Sequence, residues 1–356
     1  MKIFFLTRLF FPSIGGVQKH VLKISEIATK NGHNVSIITE KHSGSLEDFD
    51  FFKKIKIYRI PLKNSGERLK KIIIWGWLIK NKKLIKKADI IHAHDVGFWF
   101  LPLKIIFPKK KFYLTFHGYE PYSYKKIKNK IEKKFTERIS QGSIAIGSYL
   151  KKWYGISPTK IIYGASSPSS LPKKNKKAPT FSINTINACF VGRLEKDTGI
   201  EEYIKTVIVL QEKYKIKVSL TICGNGSLFE KIQKSVKKNN LPIKLKGWVE
   251  NPSEYILKSD IFFASQYLSI IEAAQLKKKI FSIYKDEIKK DYLLSLPIAD
   301  SLSISNNFIQ LAENIKDFIS QPNKYEKTIN LSYRWASRQT WENLYEQYLS
   351  LWKAIK

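Results

Sequence analysis

Short runs of branched and aromatic residues alternate with longer stretches of helical period along almost the whole chain. In the first half, Ile3 to Leu6, Val35 to Thr39, Ile55 to Ile60, Ile90 to His92, Phe112 to Phe116, Ser143 to Ile146 and Ile161 to Tyr163 read as strands. Between them, Val17 to Lys30, Leu69 to Lys87 and Tyr124 to Ile139 place apolar residues at helical spacing. From Ala165 to Asn187 the period gives way to Ser, Pro and Lys, and a domain boundary is expected there. The alternation then restarts. Strands are expected at Ala188 to Val191, Lys217 to Ile222, Ile243 to Leu245, Asp260 to Phe263 and Lys279 to Ile283, with helices at Ile200 to Tyr214, Leu228 to Lys238, Leu268 to Gln275 and Phe308 to Phe318. Such a rhythm gives parallel sheets with right-handed crossovers. The organisation expected is two α/β domains over 1–170 and 188–331, a linker over 171–187, and a terminal segment 332–356. In that segment Trp341, Leu344, Tyr345, Tyr348, Leu351 and Trp352 share one face of a helix, which packs on its own core or returns to the first domain.

Composition narrows the class. With 356 residues, 43% of them hydrophobic, there is enough apolar surface for two cores. The run Met1 to Leu9 is short, contains Arg8 and leads into Phe11-Pro12, so it reads as a buried strand rather than an export signal. No run approaches the roughly 18 apolar residues of a membrane span. Cys189 and Cys223 sit in or at the end of expected core strands, as free thiols in a reducing cytoplasm would. The net charge of +33 predicts attraction to anionic bilayers or nucleic acids, weakening with salt. A genome biased towards Lys, Ile and Asn would give the same number. No helix-turn-helix, RNP signature or zinc finger is visible, so nucleic acid is not the expected partner. The segment Arg68 to Lys87 combines Trp75 and Trp77 with lysines at both ends, the pattern of an interfacial membrane helix; the rival is an ordinary crossover helix. Lys109 to Lys111 and Lys125 to Lys134 in the same domain favour an anionic membrane surface as partner.

Several places carry residues suited to chemistry. Pro12 to Val17 follows the first strand and opens a helix, and Gly15 and Gly16 let backbone N–H groups approach an anion or a sugar. The stretch is neither a Walker loop nor G-x-G-x-x-G. His92 and His94 in IIHAHD, and His117 in LTFHGYE, stand at strand ends, where open parallel sheets meet their ligands. His117 is the best candidate because Gly118 admits a close substrate. A metal on His92, His94 and Asp95 is not expected, since alternating strand residues point to opposite faces. Nor is one expected on Asp48 and Asp50, in an acidic loop over Glu47 to Asp50. In the second half, Arg193 and Lys196 follow one strand and Gly224, Asn225, Gly226 and Ser227 follow the next. Glu272 lies after a third, near the start of a helix, where a carboxylate also suits the helix dipole. On one sheet edge these describe a nucleotide site: cations for a diphosphate, glycines for clearance and a carboxylate for ribose hydroxyls.

In this order and spacing, Gly15-Gly16-Val17-Gln18-Lys19-His20-Val21, Asn31-Gly32-His33, His92-Ala93-His94-Asp95, Phe116-His117-Gly118, Phe190-Val191-Gly192-Arg193-Leu194, Cys223-Gly224-Asn225-Gly226 and Glu272-Ala273 resemble a family-four retaining glycosyltransferase over nearly the whole chain. The resemblance implies the GT-B architecture, two Rossmann-like domains with parallel sheets facing across a cleft. It also implies sugar transfer from a nucleotide-diphosphate-sugar donor with retention, needing neither metal nor cofactor. On this resemblance Arg193, with a nearby lysine, holds the diphosphate, Glu272 contacts the ribose, and Gly15, Gly16 and His117 approach sugar and acceptor. The leaving diphosphate helps deprotonate the acceptor hydroxyl. The expected catalytic residues are thus His117, Arg193 and Lys196, and the donor contacts add Gly15, Gly16, Gly224, Asn225, Gly226, Ser269 and Glu272. Two positions depart from the family pattern. A glutamate common in the family eight residues before Glu272 is Ala264 here, and the usual lysine of the arginine loop is Thr198. Lys196 is expected to reach the diphosphate instead, with Gln266 or Ser269 supplying polar contacts. The acceptor expected is lipid-linked or a polysaccharide, at the cytoplasmic face of the membrane. A nucleic-acid-modifying enzyme of the same fold and a non-catalytic partner subunit are the alternatives.

Overall fold

The computed structural model of the chain describes residues 1–13, 15–62, 66–119, 125–167 and 185–354. They fall into two compact units, Met1–Ile162 with Trp341–Lys356, and Tyr163–Thr340. The expected turn from one domain to the next near residue 170 comes earlier, for a visible reason. Ser166 donates its backbone N–H to Gln339 O at 3.0 Å, and Gln275 Nε2 donates to Ser166 O at 3.2 Å. The Tyr163 ring packs edge-on against Tyr267 and Trp335. Residues 163–167 thus belong to the second unit. Of the expected linker, 171–184 lie outside the described residues, and strand already begins at Thr185.

The first unit is built on eight strands: β1 Lys2–Thr7, β2 Asn34–Lys41, β3 Phe49–Phe52, β4 Ile55–Pro61, β5 Ile90–His94, β6 Lys111–Phe116, β7 Gly142–Ile146 and β8 Lys160–Ile162. Their spatial order is β3-β4-β2-β1-β5-β6-β7-β8, parallel except for β3. The central strands are buried on both faces, which accounts for their near-continuous apolar runs. Thr7 pairs with His94, and His94 with Thr115, so three strand ends meet at one level. The helix Trp341–Lys353 belongs to this unit and buries Trp341, Leu344, Tyr345, Tyr348, Leu351 and Trp352, the face its spacing predicted. The expected helix over 69–87 is two, Glu67–Lys80 and Lys82–Lys86, broken where Asn81 turns its side-chain amide back to Trp77 O at 2.9 Å.

The acidic loop expected over Glu47 to Asp50 forms part of an antiparallel edge: Phe49–Phe52 pairs with β4. Its carboxylates are taken by cations. Asp48 meets Lys41 at 2.8 Å, and Asp50 meets the fully buried guanidinium of Arg59 at 3.3 Å. Arg59 also donates to Glu47 O at 3.0 Å and to Phe11 O at 3.2 Å, which ties the edge hairpin to the segment leading into Gly15.

The second unit carries β9 Thr185–Val191, β10 Lys217–Cys223, β11 Ile243–Gly247, β12 Ile261–Phe263, β13 Lys279–Ile283 and β14 Ser303–Ser305, in the order β11-β10-β9-β12-β13-β14 and all parallel. One face packs Ala188, Phe190, Leu220, Ile222 and Phe263 against Tyr203 and Val207 of the helix Ile200–Glu212 and Leu311 and Ile315 of the helix Phe308–Ser320. Cys189 and Cys223 are buried free thiols. Asp50→Asn, which removes the charge facing a guanidinium with no access to water, should lower unfolding stability by about 1 to 3 kcal/mol. Urea denaturation of variant and parent checks it.

Candidate active site

In an open parallel sheet the crevice lies where the strand order reverses, outside the carboxyl ends of the strands. In the second unit the chain leaves β9 for β10 and β11 on one side and returns to β12, β13 and β14 on the other, so the reversal lies between β9 and β12. Arg193 follows β9 there. Its loop is stitched to the one after β10: Gly192 N donates to Cys223 O at 3.0 Å, Leu194 N to Asn225 O at 2.9 Å, and Leu228 N to Leu194 O at 3.0 Å. Glu195, which the sequence reading passed over, accepts from Ser227 N at 2.9 Å and Ser227 Oγ at 2.5 Å, and these bonds hold its carboxyl below its ordinary pKa. Gly224 sits at φ +146°, where a Cβ would overlap Gly192 O; a Cβ on Gly226 would run into the Leu194 backbone. Both glycines are required by this approach of two backbones, not by ligand clearance alone.

The Arg193 side chain is half exposed, and Asp197 Oδ2 accepts from its Nη2 at 2.9 Å, which aims the guanidinium while leaving its other donors unspent. Lys196 is exposed on the adjoining turn. Thr198, at the family's lysine position, is buried with its hydroxyl donated to Glu195 O at 2.7 Å, so it closes the turn and is spent there. The helix Tyr267–Gln275 starts after β12 with no side-chain cap from Gln266, and its first backbone N–H, that of Tyr267, donates to Tyr292 Oη at 2.7 Å. Ser269 is buried and donates to Gln266 O at 2.9 Å. Glu272 lies in the second turn of that helix, not the first, so the helix-dipole explanation for it falls away. It is 6% exposed and accepts from Ser253 Oγ at 2.5 Å.

Ala264 offers no side-chain contact. Its carbonyl accepts from Tyr203 Oη at 2.7 Å and Ser282 Oγ at 3.0 Å. Beside it stands a cation that the sequence did not single out. Lys289, 6% exposed, donates to the carbonyl and, at 3.1 Å, to the hydroxyl of Ser265, and its ammonium lies 4.6 Å from the centre of the Tyr292 ring. Burial pushes its pKa down to about 8, opposed by Asp197 and Asp286 and reinforced by Arg193. Nothing in its local sequence, one of two adjacent lysines in the helix Glu287–Leu294, distinguishes it.

In the first unit the order reverses between β1 and β5. Gly15 and Gly16 follow β1 and open the helix Gly16–Lys30; Ile14 is outside the described residues. Gly15 is extended at φ −172° and a Cβ there would meet only the Gln18 side chain, so its backbone makes no special demand. The uncapped helix start supplies free N–H groups. His117 follows β6, its backbone N–H bonded to Asp95 Oδ1 at 2.9 Å. Its ring takes part in a buried cluster that sequence motifs only partly foreshadowed. His94 Nδ1 lies 2.8 Å from His117 Nε2, and the His20 and His117 rings meet edge-on at 4.7 Å. Trp352 Nε1 donates to His92 Nδ1 at 3.0 Å; His92 Nε2 meets Thr115 Oγ1 at 2.8 Å; Thr115 and His20 both meet Tyr348 Oη at 2.8 Å. Contrary to the expectation of opposed faces, His92 and His94 share a face, rings stacked at 5.0 Å, as residues two apart on a strand must. His92 gives both ring nitrogens to protein partners and His94 gives its Nδ1, and no group of three or more His, Cys, Asp or Glu is placed to hold a metal among the described residues. Burial drives every ring of the cluster towards the neutral form, His117 down to about 3 with Lys133 adding to the effect.

Two parallel α/β units, each with its polar loops at a switch point, one carrying an arginine and close-packed glycines, define a GT-B glycosyltransferase. Residues 14–164 match the family model Glycosyltransferase Family 4 and residues 173–335 match Glycosyl transferases group 1. Similar to the chain is an uncharacterized glycosyltransferase of Methanocaldococcus jannaschii, MJ1069, 23% identical over 92% of this chain and 96% of that protein. The fold is shared with sucrose-phosphate synthase from Thermosynechococcus elongatus, TM-score 0.76 at 14% identity, covering 99% of this chain and 98% of that one. It is shared too with HepE from Anabaena, solved with UDP and glucose, TM-score 0.72 at 14% identity over all of both chains. The chain belongs to the family-four glycosyltransferases.

Below about pH 8 the ammonium of Lys289 is buried at a cost. Between about 8 and 10.5 the folded chain loses that proton before the unfolded chain does, and the penalty fades. Lys289→Met should therefore stabilise the chain relative to the parent more at pH 7 than at pH 10, with a difference on the order of 2 to 3 kcal/mol. Urea denaturation at the two pH values measures it.

Proposed function

We propose that the chain transfers a sugar, with retention at the anomeric carbon, from a nucleotide-diphosphate-sugar to a lipid-linked or polysaccharide acceptor at an anionic membrane surface. The observation that carries the donor half is Arg193: a half-exposed guanidinium in the loop that follows β9 of the second unit, aimed by Asp197. Negative charge builds on the diphosphate as the glycosidic bond breaks, and fixed donors there stabilise the transition state more than the ground state. Lys196 adds a mobile cation to the same loop. Glu272 has one carboxylate oxygen committed to Ser253, which leaves the other for a ribose hydroxyl. Gly15 and Gly16, with free N–H groups behind them, and His117 would serve the sugar and the acceptor. HepE, solved with UDP-glucose, binds a donor of this chemistry on the same fold.

The membrane half rests on the surface of the first unit. Ile72 is 62% exposed, Ile105 79%, Ile127 74% and Ile131 62%, on the helices Glu67–Lys80, Leu101–Ile106 and Ile127–Ile139. Lys71 joins the first and third of these by an ion pair with Glu132 at 3.1 Å and lies over the Phe98 ring, just before the second. Exposed lysines at 80, 82, 83, 109, 125, 126, 128, 130 and 134 flank them. Apolar side chains within a lysine rim suit an anionic interface. The tryptophans are not the exposed element: both are half buried, and Trp75 donates its indole N–H to Phe98 O at 3.1 Å. No described helix is long and apolar enough to cross a membrane.

Turnover of UDP-, GDP- and ADP-sugars in the presence of membrane extract tests the donor half. Arg193→Ala should lower kcat about 10²- to 10³-fold with the fold intact by circular dichroism; no binding of any nucleoside diphosphate by the parent would refute the reading. Sedimentation with phosphatidylglycerol vesicles tests the other half: binding should fall as salt shortens the Debye length below about 8 Å, and Ile72→Glu with Ile131→Glu should weaken it, while binding to neutral phosphatidylcholine vesicles stays low.

A further inference from the structure

The hydrogen bond between His94 and His117 joins two neutral imidazoles, so one ring donates and the other accepts. Which does which follows from the opposite edge of His94. Its Nε2 is buried and has no hydrogen-bond partner among the described residues. A proton there would be an N–H donor sealed from water without an acceptor, which folded proteins very seldom tolerate. The proton of His94 therefore sits on Nδ1, the atom 2.8 Å from His117 Nε2. His117 Nε2 is then the acceptor, and the proton of a neutral His117 is left on Nδ1.

We propose that His94 is a positioning residue that holds His117 in its Nδ1–H form, so that His117 offers the substrate a hydrogen-bond donor and not a base. The partner this chemistry selects is an oxygen of the bound sugar, hydroxyl or ring, with a lone pair to spare. A ring whose one lone pair is already occupied cannot take a proton from the acceptor hydroxyl. Burial and the Lys133 ammonium oppose a second proton on His117 and keep it a neutral donor. Several contacts keep His94 itself in place. Phe5 packs tilted at 5.3 Å, His92 stacks at 5.0 Å, and His92 is anchored by Trp352. Because Trp352 Nε1 only donates, His92 must carry its proton on Nε2, the edge facing Thr115. The helix Trp341–Lys353 thereby helps set proton positions in a cluster that begins more than two hundred residues earlier in the chain. This inference rests on the proposed role of His117 only for its consequence in turnover; the tautomer can be read without a substrate.

Long-range proton–nitrogen NMR correlation on the uniformly ¹⁵N-labelled full chain resolves the two tautomers, with the ring signals assigned by loss in His117→Gln and His94→Gln. The expected result is a ring proton on Nδ1 in both His94 and His117 and on Nε2 in His92. An Nε2 proton on His117 in the parent protein overturns the proposal, and so does a His117 ring that keeps its Nδ1 proton undiminished in His94→Leu. In His94→Asn, whose amide nitrogen replaces Nδ1 as donor, the His117 tautomer should be retained. If the chain turns over UDP-glucose, His94→Leu should lower kcat about tenfold to hundredfold, in line with other residues that orient a ligand-contacting histidine, and His94→Asn should recover most of it. Equal losses in both variants would make His94 structural only. The NMR result does not depend on any donor being accepted, so a failure of the tautomer and a failure of the sugar-transfer reading are told apart.

Discussion

Parallel strand polarity is the constraint on which the polar strand ends of each unit rest. Because every strand of the second sheet runs the same way, the loops carrying Arg193, Gly224 and Gln266 and the helix carrying Lys289 follow strand ends at one edge, although they are spread over nearly a hundred residues. In the first sheet the same polarity gathers Gly15, Asp95 and His117. Each sheet reverses its order beside its first strand, and the crevice this leaves is where a ligand can reach several strand ends at once. The short polar turns are tolerated there because they bond to each other: the Arg193 loop takes its backbone partners from the Gly224 loop.

The two units solve the problem of buried polarity differently. The first concentrates four histidines, a threonine, a tyrosine and a tryptophan into one cluster of hydrogen bonds and packed rings, where burial keeps the imidazoles uncharged. The arrangement costs little electrostatically because no ion is desolvated, and it specifies where each ring proton lies. The second unit buries whole charges. Lys279 and Lys289 both have pKa values pushed down to about 8 by burial, and each is met by a carbonyl oxygen, Ser301 O and Ser265 O respectively. An ammonium held this way ties strand ends and helix starts together at some expense in stability. In a chain of net charge +33 cations are the available currency, and here they serve as internal ties as well as surface charge.

Two departures from the family pattern acquire a physical reading from these ties. Thr198 closes its own turn, and so the cations of the loop are Arg193 and Lys196. Ala264 places no carboxylate at the strand end, and the neighbouring Ser265 is held by Lys289, whose ammonium also faces Asp197 and Asp286. A buried lysine behind a carboxylate-free loop is a coherent local environment, in which neither change leaves an unpaired ion.

The sequence by itself determined the α/β class, nearly every central strand, the glycine turns after β1 and β10, and the arginine after β9, because each of these is a local matter of period or of backbone freedom. The buried face of the final helix was legible for the same reason. The tertiary structure alone decided where a residue's partner lies. Asp48 and Asp50 read as an acidic loop, and only the fold sets Arg59 against Asp50; nothing in the sequence marks Lys289, whose helix carries it to Ser265. His92 and His94 were visible as a motif, but their proton positions depend on Trp352 and on an empty edge of His94, and chain distance conceals both. Periodicity records which way a side chain faces. It carries no information on which distant group will be waiting there, and the charge state and hydrogen-bond direction of a buried group are set by that neighbour.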